Sequence, residues 1–368
     1  MPQKLKKLKP LSKLAFAMVM LAVVSICHFC TENKESVKTI IPHERIERLS
    51  RATNFNEVFA IVDTIPLEVS PSSLIAYLGV IAVGQNDKIV VSDERLSQVL
   101  MFSNKGQFLK LIAKKGNGPG EVERPYGIGF SQNEDLGVID VGNNRINFYD
   151  AQGNFQWDFL SLKANPSRIM FDSLGNIFVQ DSGNPGGKAI QKYTKDGKLL
   201  NEFGQIPDIS RKVGTVVRGG NFTRYKDLYI YYIHPVEYLV HQFTLDGKLI
   251  RTIKQKSGRF RPLKQRLEKT DPQSLKKWKQ SWDRAHSIFA TNEGFLMAVY
   301  QTTKFSLDTL VNVIDLYDIE GNLIVDNIAT SYLPVCVDQE GTIYCLNQEL
   351  RLVQENPILF RFRIRGQL

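Results

Sequence analysis

Residues 145–159 read RINFYD-AQGN-FQWDF, which predicts a β-strand, a four-residue turn and a returning β-strand. Aromatic and other strand-forming residues fill both strands. Gly153 supplies the positive φ that a tight hairpin turn requires. The same pattern returns at residues 190–203, where IQKYT and LLNEF flank KDGK. This hairpin is the unit from which the fold is predicted.

The hairpin recurs along the chain with a regular spacing. Two further strand-like runs precede each copy, so each copy carries four strands. The spacing is about 45–50 residues with one longer interval, and four-stranded repeats of that length are typical of β-propeller blades. The equivalent turn glycines are Gly106, Gly153, Gly197, Gly247 and Gly321.

The number of copies predicts the number of blades. Four strand signals occur in each of the ranges 74–115, 126–160, 167–204, 219–255 and 287–329. Residues 332–365 supply only three, and the missing strand is available from Val58–Val69. Closing the ring with that strand removes exposed sheet edges. We therefore predict an all-β, six-bladed β-propeller over residues 56–368, closed by an N-terminal strand. A β-sandwich, the alternative, does not account for the period or for the three-strand remainder.

The N-terminal segment, residues 1–30, differs from the rest of the chain. Five lysines without an acidic residue precede an apolar run from Leu14 to Cys30, as in a secretory signal. Cys27 follows Val24-Ser25-Ile26, which resembles a lipoprotein box, and Cys30 is a second candidate acceptor. We expect export and a lipid anchor in a bacterial membrane, on the periplasmic or outer side, with residues 31–55 as a linker. An uncleaved membrane helix is the alternative.

The net charge excludes few classes of partner once it is counted separately for the N-terminal segment and for the rest of the chain. The chain carries +9, but residues 1–26 hold five lysines and no acid, so the remainder carries +4. That balance is a weak basis for binding a polyanion, and we expect no nucleic-acid partner. The charge is concentrated between Lys254 and Arg284, where eleven basic residues accompany three acidic ones.

Two motifs resemble a known family. Lys115-Gly116-Asn117-Gly118-Pro119-Gly120-Glu121 resembles the Gly-Pro-Gly-Glu segment of exported six-bladed propeller lipoproteins. Residues 140–149, DVGNNRINFY, are similar to the core of an NHL repeat. The resemblance extends over residues 58–366 and implies a single propeller at the cell envelope. It implies no settled biochemical activity.

Two candidate sites have both structural and functional interpretations. The loop Gly116, Gly118, Pro119, Gly120 and Glu121 favours a tight crossover between blades over a phosphate cradle, because Pro119 removes a backbone donor and no helix follows. Acidic residues recur at comparable places in their blades: Asp93, Asp140, Asp181 and Asp338. Six-bladed hydrolases and lactonases of the paraoxonase type hold calcium near the channel with such oxygens. Asp at turns also commonly caps backbone N–H groups, which the repetition favours.

The basic insertion, at about residues 255–286, is the one local departure from the repeat. Asp271-Pro272 predicts the start of a short helix, with Trp278 and Trp282 on one face. That face is expected to pack on the scaffold, with ligand contact as the alternative. Lys276, Lys277 and Lys279 are candidates for contact with an anionic envelope component.

The two cysteines of the body flank one predicted turn. If that turn sets the register, Cys336 and Cys345 lie diagonally across the hairpin, beyond ordinary disulfide reach. We expect two buried thiols.

Together these features predict a binding or scaffold module for a protein, a glycan or an anionic envelope component. We expect no cofactor and no catalytic residue. The alternative class is a calcium-dependent esterase or lactonase with a metal at the channel mouth, and a structural subunit of an envelope complex is a third.

The first prediction concerns the anchor: Cys27 should be the acylated residue. Cells given an alkynyl fatty acid should label the wild-type protein and lose the label on Cys27→Ser but not on Cys30→Ser. Absence of label on the wild type would favour the uncleaved helix or a soluble form.

Overall fold

The strand–turn–strand unit forms six four-stranded antiparallel sheets, which are the blades of a β-propeller. The structure is a computed structural model, and it describes residues 41–85, 87–160, 166–213, 220–255, 258–265, 267–269, 271–303, 311–347 and 356–366. The prediction of an all-β, six-bladed propeller of four-stranded blades is confirmed. Cys27 and Cys30 lie outside the described residues.

Blades one to five each use four consecutive strands, and the first strand of each is innermost. Blade one contains β2 Ile81–Val83, β3 Ile89–Asp93, β4 Gln98–Phe102 and β5 Phe108–Ala113. Blade two contains β6 Pro125–Phe130, β7 Leu136–Asp140, β8 Arg145–Tyr149 and β9 Phe155–Leu160. Blade three contains β10 Pro166–Phe171, β11 Ile177–Asp181, β12 Lys188–Tyr193 and β13 Leu199–Gln205. Blade four contains β14 Asn221–Tyr225, β15 Tyr229–Ile233, β16 Leu239–Thr244 and β17 Leu249–Lys254. Blade five contains β18 Arg284–Ala290, β19 Phe295–Thr302, β20 Val311–Asp318 and β21 Leu323–Thr330.

Blade six closes the ring with both ends of the folded chain. Its inner strands are β22 Tyr332–Val337, β23 Ile343–Asn347 and β24 Ile358–Ile364, and its outermost strand is β1 Phe59–Pro66. β1 pairs antiparallel with β24 from Phe59↔Ile364 to Pro66↔Ile358. The predicted closure by an N-terminal strand is therefore confirmed.

The turn glycines serve the ring as well as the hairpin. All five have positive φ, from 75° at Gly153 to 85° at Gly321. Each also lies against the outermost strand of the preceding blade; a Cβ at Gly106 would lie 2.0 Å from the carbonyl oxygen of Pro66 on β1. Because Gly106 packs on β1 as the other four glycines pack on the outermost strands of their preceding blades, β1 occupies the place of an outermost strand.

The hydrophobic core is divided around the ring rather than collected at one centre. An apolar cluster fills the space between each neighbouring pair of blades, and the cluster between blades five and six also takes in Leu49 and Phe55. Burial of these faces is the main favourable contribution to the stability of the fold. No blade can bury both of its faces without two neighbours.

Within the described ranges, four helices lie outside the blades. They are α1 His43–Ser50, α2 Phe55–Val58, α3 Asp208–Val213 and α4 Pro272–Gln280. The range 31–55, predicted as a linker, therefore contains a packed helix. None of the helices in the described ranges has the length and the apolar composition needed to cross a bilayer.

Helix α1 is attached to the ring at its closing blade. The Arg45 guanidinium donates to the carbonyl oxygens of Arg365 and Ile364 at 2.9 and 2.8 Å. It also pairs with Glu293 at 2.5 Å and lies 4.6 Å from the centre of the Phe295 ring. Sequence patterning missed this helix because its apolar face is short and its main anchor is a charged residue.

The two cysteines of the body are free thiols, as expected. Cys336 pairs with Tyr344 and Cys345 with Pro334, because a β-bulge interrupts the register between them. Burial raises the pKa of both thiols.

Ring closure provides the second prediction. Deleting residues 55–70 removes β1 and leaves blade six with an open edge and an uncovered apolar face. The truncated protein should be insoluble or rapidly proteolysed, whereas deletion of residues 1–40 should leave a cooperative thermal transition. A β1-deleted protein that melts cooperatively at the parent temperature would contradict this closure.

Candidate functional site in the central channel

The six innermost strands surround an open cavity of about 460 Å³ in the channel of the ring. Every blade contributes residues to its wall, from Ile81 in blade one to Val337 in blade six. Its mouth is at the end where the innermost strand of each blade turns into the second, because Gly84, Ser131 and Asp338 of those turns line it. Cavities of this size hold small molecules in other proteins.

β-Bulges occur at the opposite end of four innermost strands. Each inserts one residue between two pairs of the ladder; the inserted residues are Tyr126, Ser167, His286 and Val335. Pro125 and Pro166 precede two of these residues, and Pro is accepted at strand starts and bulges because it lacks a backbone donor. Bulges re-aim the neighbouring side chains. The recurring bulge therefore places irregular residues at one level of the channel.

Two arginines lie close to these bulges in the sequence: Arg168 follows Ser167, and Arg284 stands two residues before His286. Arg168 lines the cavity, and Arg284 begins the innermost strand of blade five. Burial lowers the pKa of Arg168, and interactions with Tyr126 and Cys336 oppose that effect. Burial likewise lowers the pKa of Arg284, and Tyr126 again opposes it. Arg168, Arg284 and Tyr126 of three different blades are therefore electrostatic neighbours.

His286 belongs to the same group. Burial, together with the charges of Arg284 and Arg168, lowers the pKa of His286 to about 3. Its imidazole is neutral at physiological pH, and its Nδ1 lies 3.2 Å from the Ser287 hydroxyl. The wall of the cavity carries both signs of charge: Arg168, Arg224 and Lys226 are basic, and Glu134, Asp227 and Asp338 are acidic.

Neither channel arginine has a carboxylate partner among the described residues. Arg284 donates to the side-chain oxygen of Gln301, which is neutral. By contrast, Arg224, which also lines the cavity, forms an ion pair with Asp227. Buried charges in proteins are normally paired, so the two unbalanced guanidinium groups are unusual.

The repeated aspartates are engaged in holding turns. Both carboxylate oxygens of Asp93 accept backbone N–H groups, from Ala76 and Tyr77 on one side and Arg95 and Leu96 on the other, at 2.7–3.1 Å. Asp140 accepts from Glu123 and from Asn143. Asp181 accepts from the N–H of Gly183 at 2.9 Å. These contacts favour the interpretation of the repeated acids as backbone caps.

Asp338 belongs to a different turn from the other three. Asp93, Asp140 and Asp181 end the second strand of their blades, whereas Asp338 follows the innermost strand of blade six. It accepts the N–H groups of Glu340 and Thr342 at 2.9 and 2.8 Å, as Asp172 accepts those of Leu174 and Asn176 in blade three. Asp338 therefore lies at the opposite end of the channel from Asp93, Asp140 and Asp181.

The described residues do not assemble a calcium site from these acids. A calcium ion needs six to eight oxygen ligands converging on one point. The carboxylates accept backbone N–H groups. The described residues contain no cluster of three His, Cys, Asp or Glu side chains with metal-binding geometry. The aspartates do not fit the group that the hydrolase alternative requires.

The glycine-rich loop and the NHL-like strand are hydrogen-bonded to each other. Arg145 donates to the carbonyl oxygens of Gly118 and Glu121 at 2.7 and 2.8 Å, and the Tyr149 hydroxyl donates to that of Gly120 at 3.0 Å. Asn143 and Asn147 also donate to carbonyl oxygens of the loop, at 2.9 and 3.1 Å. Loop carbonyls thus point toward the strand, which fits a crossover between blades.

The basic insertion separates into a buried and an exposed part. Trp278 and Trp282 are buried, lie 5.3 Å apart edge to face, and pack with Val236 and Leu263. The Trp278 indole donates to the carbonyl oxygen of Gln265 at 2.8 Å. The tryptophan face therefore packs on the scaffold and forms no contact surface. The opposite side carries exposed lysines: Lys276, Lys277 and Lys279.

Sequence reasoning missed the channel group of Tyr126, Arg168, Arg284 and His286. Tyr126 and Arg168 lie in predicted strands, whereas Arg284 and His286 lie in the predicted basic insertion at about residues 255–286; the structure places both of the latter in β18 Arg284–Ala290. No motif joins the four residues. The available signal was weak: Pro125 and Pro166 each stand at the start of an innermost strand, where a bulge is tolerated.

The ring of six four-stranded blades around an open channel defines the chain as a six-bladed β-propeller. It belongs to the family described as a domain of unknown function, DUF4934, whose model matches residues 37–357. That match includes helix α1 and every strand of the blades except β24. No curated protein sequence matches the chain significantly.

Solved structures with little sequence identity share the fold. A Bacteroides vulgatus protein of the DUF4221 family superposes with a TM-score of 0.61 and 13% identity, covering 84% of this chain and 99% of its own. A Bacteroides fragilis protein described as exported gives 0.59 and 15%, covering 85% and 97%. A gluconolactonase from Xanthomonas campestris gives 0.50 and 13%, covering 83% and 98%. At these identities the likeness concerns the fold alone.

The third prediction tests the hydrogen bonds that join the glycine-rich loop to the NHL-like strand. Arg145→Leu removes two carbonyl contacts and leaves the buried Asp140 without its cation, so the free energy of unfolding should fall by about 3–5 kcal/mol. Arg145→Lys retains the charge and should lose less. Chemical denaturation measures both values. If the leucine variant lost less than about 1 kcal/mol, as expected for an exposed ion pair, the contacts of Arg145 would not be what holds the loop to the strand.

Proposed function

We propose that this chain is an exported, membrane-tethered binding module that takes a small ligand into the central channel of its propeller. The single observation that carries the proposal is the open cavity of about 460 Å³, to which all six innermost strands contribute. A propeller holds that wall rigid, because each strand is backed by three others. Function in such folds resides in the loops and in the channel rather than in the blades.

Export and the lipid tether rest on the N-terminal sequence. The basic start, the apolar run and Cys27 have the order expected of a lipoprotein signal, with Cys30 as the second candidate. The Bacteroides fragilis protein of similar fold is described as exported, which supports the same location for this chain. The glycine-rich loop and the NHL-like strand agree with an exported propeller lipoprotein.

A binding role is favoured over a calcium-dependent hydrolase by the state of the acidic residues. The aspartates that such an enzyme would use accept backbone N–H groups: Asp93 from Ala76, Asp181 from Gly183 and Asp338 from Glu340. The structural likeness to a gluconolactonase carries no residues across at 13% identity. No contact among the described residues specifically favours hydrolysis.

The exposed lysines of α4 are a second contact surface in this proposal. Lys276, Lys277 and Lys279 are exposed, while Trp278 of the same helix and Trp282, two residues beyond its end, are buried, so the helix presents charge outward. At the cell envelope, anionic lipid headgroups, acidic glycans or a partner protein would meet such a surface.

The fourth prediction uses Cys336 as a natural reporter of the channel. Cys336 is half-buried and lines the cavity, whereas Cys345 is fully buried behind it. N-ethylmaleimide should alkylate Cys336 slowly, and the low-molecular-mass fraction of an envelope extract should slow that reaction several-fold. Peptide mass spectrometry measures the rate at each cysteine in the folded full-length protein.

Cys345 is the internal control for global opening. Its alkylation should stay negligible with and without extract, because reaching it requires unfolding of blade six. Equal rates at Cys336 with every fraction would contradict a channel ligand.

A further inference from the structure

We infer that the mouth end of the ring lies against an anionic phospholipid bilayer, which it contacts through exposed leucines and lysines of blades three and four. The inference rests on the proposed function, because it concerns how the membrane-tethered ring meets the membrane. Three observations support it: the composition of two hairpins, their continuity, and the end of the ring at which the described chain begins. The contact surface, here named the Lys-Leu patch, consists of Lys198, Leu199, Leu200, Lys248, Leu249 and Ile250.

The first observation is the composition of the two hairpins. Residues 197–200, where β12 turns into β13, read GKLL, and residues 247–250, where β16 turns into β17, read GKLI. The four apolar side chains are 40–52% exposed, and both lysines are exposed as well. Large apolar residues on the surface of a monomer are ordinarily scattered singly, so two exposed pairs in neighbouring blades are a feature that needs a cause.

The corresponding hairpins of blades one, two and five differ from these two. Gln or Asn replaces the lysine there, and a half-buried Phe or Leu follows it: Gln107-Phe108, Asn154-Phe155 and Asn322-Leu323. The same turn therefore forms without a lysine and an exposed apolar pair. The Lys-Leu sequence of blades three and four belongs to the surface of the protein and not to the requirements of the turn.

The second observation is that the two hairpins form one surface. The Asn201 side chain donates to the carbonyl oxygen of Asp246 at 2.7 Å. A Cβ at Gly247 would lie 2.5 Å from the ring of Phe203. The blade-four hairpin therefore packs on β13 beside Leu200, and the apolar residues of the two blades are neighbours.

Leu174 extends this surface toward the channel. Its side chain is 79% exposed, in the turn that joins the innermost strand β10 to β11. That turn lies beside the blade-three hairpin, because a Cβ at Gly175 would be 3.7 Å from the Cβ of Lys195. The exposed apolar residues thus reach from the rim of the ring toward its mouth.

Positive charge accompanies the apolar side chains. Asp246 pairs with the buried Lys192 at 3.0 Å, so the exposed lysines of the two hairpins outnumber the other acid of these turns, Asp196. Leucine beside lysine suits the interface of an anionic bilayer, where apolar side chains enter the acyl boundary and ammonium groups meet phosphates. A second copy of the chain is a poorer occupant, because a symmetric contact would bring like charges together.

The third observation is the end at which the described chain begins. Strands alternate in direction, so the turns between third and fourth strands lie at the mouth end. Helix α1 lies at this end too, because Arg45 pairs with Glu293 of the β18–β19 turn and donates to Ile364 at the end of β24. The described chain begins at Ile41, and Cys27 stands 14 residues earlier, a span of at most about 45–50 Å. The tether of the proposed function therefore joins the ring at the end that carries the Lys-Leu patch.

Helix α4 lies at the other end of the ring and provides an internal comparison. Its insertion follows β17 and precedes β18, and Trp278 packs with Val236 of the β15–β16 loop. Lys277 and Lys279 are exposed there. In the inferred orientation these lysines face away from the bilayer and are available to a glycan or a partner protein.

The fifth prediction uses lysine footprinting of the full-length protein, inserted through its N-terminal anchor into preformed vesicles of phosphatidylethanolamine and phosphatidylglycerol. A water-soluble acetylating reagent and peptide mass spectrometry give the modification rate of each lysine in vesicles and in detergent. Lys198 and Lys248 should react several-fold more slowly in vesicles, because the bilayer covers them. Lys277 and Lys279 should react at the same rate in both, and they serve as the reference within each molecule.

A pair of substitutions tests whether the leucines make the contact. Leu199→Asn combined with Leu249→Asn should return the rates at Lys198 and Lys248 close to their detergent values, because burial of each leucine is worth about tenfold or more in an equilibrium constant. The matched control is Leu111→Asn, which removes a leucine of similar exposure, 39%, from β5 of blade one and should leave the protection unchanged. All three positions are exposed, and an unchanged melting temperature checks that each variant is folded. Vesicles of phosphatidylcholine alone should protect less, because the lysines lose their anionic partners.

Four results would overturn the inference. Equal rates at Lys198 and Lys248 in vesicles and in detergent, in protein that carbonate washing leaves on the vesicles, would do so while the tether stands. Protection of Lys277 and Lys279 instead would show that the opposite end meets the bilayer. Protection that grows with protein concentration in detergent would assign the patch to contact between copies. Complete release of the protein by carbonate would overturn the tether and the inference together.

Discussion

The antiparallel pairing of β1 with β24 is the interaction on which the rest of the structure depends. It joins Phe59–Pro66 to Ile358–Ile364 and turns an open array of blades into a ring. Each apolar cluster lies between two blades, so every cluster needs the ring to be closed. The turn glycine Gly106 packs on Pro66 as the other turn glycines pack on their preceding blades. Arg45 of α1 donates hydrogen bonds to the carbonyl oxygens of Ile364 and Arg365, at the end of β24 and just beyond it. The channel exists because this closure holds six innermost strands around one axis.

Polar residues of the ring divide into two groups with different energetics. Asp93, Asp140 and Arg145 are buried and have several partners each, so their desolvation is repaid within the fold. Arg168 and Arg284 have no carboxylate partner among the described residues. Repetition distinguishes the groups as well. A cap is needed in many blades and recurs, whereas a ligand touches a few blades and requires residues that do not repeat.

The β-bulges link the fold to the candidate site. A regular innermost strand alternates its side chains between two faces, which would give a channel wall of uniform character. One extra residue at Tyr126, Ser167, His286 and Val335 breaks that alternation at the same level in four blades. Arg168 follows one bulge directly, and His286 is itself a bulge residue. The fold thereby places long polar side chains in a channel without giving up the ladder on which the blades depend.

Local patterns in the sequence by themselves determined the architecture: the hairpin at residues 145–159, its return, the turn glycines, the six blades and the three-strand remainder that β1 completes. These features follow from strand alternation and turn chemistry, which act over a few residues and repeat visibly. Only the tertiary structure decided the partners of the polar groups. It assigned Asp338 to a different turn from Asp93, buried Trp278 and Trp282, and seated α1 through Arg45. It also placed Arg168 and Arg284, which are distant in the chain, on the innermost strands of blades three and five. The physical reason is that a ring makes spatial neighbours of equivalent positions in different blades. A β-bulge changes which side chains of a strand face the channel, and it has only a weak signature in the sequence.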